Sequence, residues 1–115
     1  MSKPVLNAQD SLQGLAGGDL TMLNVLASMI EGTFEESGLE PKTFLLVRMA
    51  ALATLNAPPA SWLMNIEAAS EAGLEPESIL GTLIAIAPVV GTARIVSAAG
   101  HIMQAYELAE GNASA

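Results

Sequence analysis

The chain contains no cysteine. That excludes disulfides, thiolate metal sites and a cysteine nucleophile together. It also fits a reducing compartment, and the cytoplasm is the expected location. Basic residues are nearly as scarce. Lys3, Lys42, Arg48 and Arg94 stand against twelve acids, giving a formal net charge of −8. Four scattered cations make no basic stripe, so neither nucleic acid nor an anionic membrane surface is an expected partner. The one histidine, His101, cannot build a metal site within a single chain. No metal or cofactor is expected. Aromatics are 3% of the residues, so the core must be built from Leu, Ile, Val, Ala and Met.

Long apolar runs are also missing. The uncharged core of the most apolar window, residues 79–93, is fifteen residues long, holds Pro88 and Gly91, and ends at Arg94. A membrane span needs about 20 residues, so this segment reads as a buried helix. The first residues show no basic region followed by an apolar run, and no signal peptide is expected.

What is present is apolar and helical. The 115 residues are 51% hydrophobic, enough for one domain with one core. Alanine and leucine are abundant and strand-like alternation is poor, which predicts an all-α bundle of about five helices. Residues 1–18 read as a flexible arm, 19–111 as a single helical domain and 112–115 as a tail. Asp19 is a candidate N-cap for a helix to about Ile30, with Met22, Leu23, Leu26 and Met29 or Ile30 on one face. Residues 33–38 then read as a short turn or helical end. Further helices are expected over 41–55, 59–72, 76–87 and 92–109, the last stopped by Gly111. The segment Gly-Leu-Glu-Pro occurs twice, at 38–41 and 73–76. Glycine ends one element, glutamate suits the N-terminal dipole and proline fits the first helical turn. The helices at 41–55 and 76–87 carry almost no polar face. Such helices must be buried all round, and a small bundle cannot surround two of them, so other copies of the chain are expected to complete the burial.

The order of these features is familiar. Leu39-Glu40-Pro41 opens an apolar helix; an Asn56-Ala-Pro-Pro59 loop follows; then come Ala68-Ala69 with Gly73, the acidic start Glu75-Pro76-Glu77, and Gly91 after an apolar helix. Over residues 39–99 this resembles the carboxymuconolactone decarboxylase family, which includes the alkyl hydroperoxidase D proteins. The resemblance implies an all-α fold and homo-oligomers: dimers, often joined as trimers or hexamers. The redox branch of that family carries Cys-x-x-Cys-x-x-x-His and a proton-relay glutamate. Counted back from Ala69 and Gly73, the histidine falls on Asn65 and the cysteines on Pro58 and Ser61. The glutamate falls on Leu45 or Leu46. None of the four redox groups is present, so thiol-dependent peroxidase or disulfide reductase activity is not expected. Lactone decarboxylase chemistry needs an acid or base and cations for carboxylates rather than thiols. The polar positions available for it are Arg48, Asn65, Glu67, Arg94 and His101. Asn65 standing for the histidine leaves open whether such activity is retained.

The candidate ligand-binding residues are Arg48, Ser61, Asn65, Arg94 and His101, and each has a structural alternative. Asn65 shares a helical face with Trp62 and Ala69; its amide is either satisfied by the protein or meets a ligand. Ser61 suits a first-turn position better than a nucleophile. Arg48 lies among Phe44, Leu45, Leu52 and Leu55. It must meet a carboxylate, within the chain or across an interface, or hold an anionic ligand. Arg94, Ser97, His101 and Gln104 make a polar stripe that is either a solvated face or the wall of an interface or pocket. Two functions follow: binding of a small carboxylate or lactone-like molecule, with catalysis lost or thiol-independent, or non-enzymatic assembly.

Overall fold

The structure, a computed structural model, describes residues 8–17 and 20–114. Among them are six helices and no strand: α1 (Ala8–Gly17), α2 (Leu20–Ser37), α3 (Pro41–Thr54), α4 (Pro59–Glu71), α5 (Pro76–Val90) and α6 (Thr92–Ser114). No described helix is long and apolar enough to cross a membrane.

The repeated Gly-Leu-Glu-Pro segment does the same work twice. Gly38 and Gly73 take φ of 69° and 74°, a region that favours glycine. Glu40 and Glu75 are the extended N-cap residues, and proline begins each following helix. The end of α4 is a Schellman motif: Gly73 N–H donates to the Ser70 carbonyl at 3.2 Å and Leu74 N–H to the Ala69 carbonyl at 2.8 Å. Helix α3 ends the same way with asparagine in place of glycine. Asn56 has φ 55°, its N–H donates to Ala53 and that of Ala57 to Leu52.

Several helices run longer than the sequence suggests. The stretch taken as an arm is helical over Ala8–Gly17. Asp19 lies outside the described residues, as do the side chains of Met22, Leu23 and Leu26. Helix α2 does not stop near Ile30 but continues to Ser37, with no proline to break it. Thr33 Oγ1 donates back to the Met29 carbonyl at 3.1 Å, and Ser37 Oγ to that of Phe34 at 2.7 Å. Helix α5 passes through Pro88, which lacks an N–H, and closes where Gly91 N–H reaches the Ala87 carbonyl at 2.9 Å. Gly111 does not stop α6. It has no positive φ, and a glycine in the last turns costs only about 1 kcal/mol relative to alanine.

The core joins four helices. Leu45, Met49 and Ala53 of α3 meet Trp62, Ile66 and Ala69 of α4, with Ile79 and Leu83 of α5 and Ala98, Ile102 and Ala105 of α6. Trp62 and Met49 are wholly buried. Helices α4 and α6 run side by side in the same sense. Ser97, near the start of α6, bonds Asn56 just before α4. At the other end, Tyr106 and Ala109 line a groove with Ile66 and Ser70.

Candidate functional site

The site is built where α3 crosses the beginning of α4. Pro58 and Pro59 fix the turn into α4, and Ser61 N–H donates to the Pro58 carbonyl at 3.0 Å. Ser61 is thus a first-turn residue, half-buried, whose main role at the site is its carbonyl. One turn on, Asn65 is 2% exposed, the one buried polar residue among those described. Its Nδ2 donates to the Ser61 carbonyl at 3.3 Å, which turns Oδ1 the other way. Oδ1 accepts from Arg48 Nε at 3.1 Å. The amide is therefore satisfied on both sides.

Arg48 is half-buried on α3 and has a second anchor. Its guanidinium carbon lies 5.5 Å from the centroid of the Phe44 ring, one turn earlier on the same helix. Phe44 in turn meets Phe34 of α2 edge-on, centroids 5.1 Å apart. Such a cation–ring contact contributes about 0.5–1 kcal/mol at a partly exposed site. With Nε held by Asn65 and the plane held by Phe44, the terminal nitrogens remain. Among the described residues no carboxylate pairs with them. The intrachain ion pair, one of the alternatives for Arg48, is not formed among the described residues.

Arg48, Asn65 and Ser61 are thus brought together, and Arg94 and His101 are not bonded to them. Arg94 is exposed and His101 half-buried. The stripe on α6 divides: Ser97 Oγ donates to Asn56 Oδ1 at 2.5 Å, tying α6 to the corner between α3 and α4, while Gln104 is exposed. His101 Nδ1 and Trp62 Nε1 are buried without a hydrogen-bond partner among the described residues, each at a cost of about 1–3 kcal/mol. Glu67 is exposed and lines the groove beside Tyr106 rather than the Arg48 site. Burial raises the Tyr106 phenol above its ordinary range. No group of three or more potential metal ligands occurs among the described residues.

Two contributors to the site escape a residue-by-residue reading. Phe44 and Arg48 are spaced i, i+4, which places a cation over a ring on one helix face, a signal that is in the sequence. Asn56 precedes Ala-Pro-Pro, and asparagine followed by proline is a recognisable helix end. Its bond to Ser97 is not visible in any local pattern.

The sequence model for the carboxymuconolactone decarboxylase family matches residues 21–104. The chain belongs to the carboxymuconolactone decarboxylase family. The match takes in all of α2 but its first residue, all of α3 to α5 and the first half of α6, and so contains the whole Arg48–Asn65–Ser61 cluster. Searches of curated proteins and of solved structures gave no significant match. Within the family this member has no thiol at all. Pro58 and Ser61, where the redox branch has its cysteines, here serve as N-cap and first-turn residue of α4.

Proposed function

We propose that this cysteine-free family member binds a small organic carboxylate, or a lactone carrying one, at Arg48. The observation that carries the reading is the way Arg48 is held. A buried amide fixes Nε and a ring fixes the guanidinium plane, yet among the described residues no carboxylate neutralises its outer nitrogens. Arginine's fork then matches a carboxylate in two-pronged fashion. Nothing in the cluster supplies a strong acid or base, so the reading is a binding protein in which catalysis is lost or depends on the ligand and solvent. The lack of cysteine agrees with a cytoplasmic setting.

A second reading, homo-oligomeric assembly, has its own support. Leu80, Ile84 and Val89 of α5 are 58%, 63% and 88% exposed, with Val47, Leu55, Val96 and Met103 also uncovered. Surfaces of this kind are normally interfaces. The two readings are compatible, unless a carboxylate from another copy occupies Arg48.

One variant separates them. The assay is thermal unfolding of the wild type and Arg48→Met against a panel of aromatic acids and lactone acids. A ligand at about 100 times its Kd stabilises the fold by roughly 2.7 kcal/mol. The expected result is a stabilising shift in the wild type that vanishes in Arg48→Met, with the unliganded variant losing no more than about 1–3 kcal/mol, the cost of leaving Asn65 Oδ1 without its donor. If Arg48→Met instead loses several kcal/mol and changes sedimentation, the arginine is paired across an interface and the binding reading fails.

A further inference from the structure

We propose that the chain has a second ligand site, of opposite charge preference, between α2, α3 and α4. It is an open groove of about 370 Å³ with Ile30, Phe34, Phe44 and Leu45 among its apolar walls and Glu31 and Glu71 as its charged residues. That volume suits a small molecule. Among the described residues no base lines the groove; Arg48 is not in its wall, though it stacks on Phe44, which is.

The composition of the wall selects the ligand class. Phe34 and Phe44 stand edge to face, and their rings with Ile30 and Leu45 offer a surface for an aromatic or alkyl body. Both glutamates are exposed, and neither has a hydrogen bond or ion pair among the described residues. Two unneutralised carboxylates on an apolar cleft favour an amphipathic cation: an apolar body bearing an ammonium group. An anion with the same body is disfavoured by the two carboxylates and by the chain's net charge of −8, against which Arg48, beyond the Phe44 ring, is the one nearby cation. The site does not rest on the Arg48 reading. The two ligands have opposite charge and the variants that test them are different residues, so either site can fail alone.

Phenethylammonium is the probe, with phenethyl alcohol as its neutral counterpart and 3-phenylpropionate as the anion. Binding to the full chain is followed by ligand-observed NMR and calorimetric titration. Expected is saturable binding of the ammonium, weaker binding of the alcohol and less still at this site for the anion. Added salt weakens only the ammonium. Glu31→Gln and Glu71→Gln each reduce ammonium affinity about two- to fivefold and leave the alcohol unchanged. Phe34→Leu weakens ammonium and alcohol alike. The proposal is overturned if the ammonium does not saturate, or if it binds no better than the alcohol. Glu71 also lines the groove by Tyr106, so Glu31 decides between the two: the proposal is also overturned if Glu67→Gln removes the binding while Glu31→Gln does not.

Discussion

Helices α4 and α5 invert the usual relation between apolarity and burial. Helix α5 carries one acid, Glu77, and otherwise almost nothing but small and aliphatic residues, yet only Ile79 and Leu83 are buried. Helix α4 contains Glu67, Ser70 and Glu71, yet Trp62, Leu63, Asn65, Ile66 and Ala69 are buried. The difference is position. Among the described residues α4 is packed by α3, α6 and α1, while α5 lies chiefly against α3 and α6. Side-chain chemistry sets how much apolar surface a helix can bury. Neighbours in the chain set how much it does bury, and on α5 the remainder is left for another surface. The same placement puts the polar cluster on α4: a buried amide can orient an arginine only where both are sheltered from competing water.

The strongest way to break the comparison is Trp62→Ala. Trp62 is wholly buried on α4 and touches the core shared with α3 and α6. Its removal should cost about 3–5 kcal/mol of folding stability, read by denaturant unfolding with an unchanged slope. A loss below 1 kcal/mol would mean that α4 is not the centre of the fold.

Much of this arrangement was legible in the residues. The starts of α3, α4 and α5 follow from the prolines at 41, 59 and 76, because the first turn is where a helix accommodates proline best. The family order and the missing thiols were likewise readable, and so was an inward-facing Asn65 on the face of Trp62 and Ala69. The chain alone leaves much of α5 uncovered, in keeping with the reading that one copy cannot surround it. Periodicity identifies an apolar helix but not its neighbours, and Leu80 and Ile84 look the same whether covered or bare. The continuation of α2 to Ser37 was hidden for a local reason: residues 33–38 suggest a turn, but the Thr33 and Ser37 hydroxyls bond back to the preceding helical turn. The pairing of Arg48 with Asn65 joins residues seventeen apart in sequence. No local pattern reaches that far, and the acidic composition pointed to a carboxylate partner instead.

Ile84→Ser sharpens the other side of the comparison. Ile84 is 63% exposed, so in the folded chain the substitution should change stability by no more than about 0.5 kcal/mol. Its effect should appear in assembly: sedimentation velocity at micromolar concentration should show a smaller species than the wild type. A wild type that already sediments as a monomer would show that the bare face of α5 faces water, and the assembly reading would be lost.

The smallest effect is expected at Tyr106, on the flank where α6 covers α4. Burial holds the phenol neutral and raises its pKa above 10.0, the ordinary value. The sign follows from proton affinity. Above the unfolded value the unfolded chain ionises first, so the folded state binds the proton more tightly. The stabilisation is complete below pH of about 10 and is lost as pH rises through the folded pKa. Tyr106 remains partly exposed, which keeps the effect modest. Unfolding midpoints measured from pH 8 to 11 should therefore fall more steeply at the alkaline end for the wild type than for Tyr106→Phe. The phenylalanine keeps the ring against Ile66 and removes only the ionising group. Parallel curves for the two proteins would place the phenol in water, and with it the edge of α4 that α6 is said to shelter.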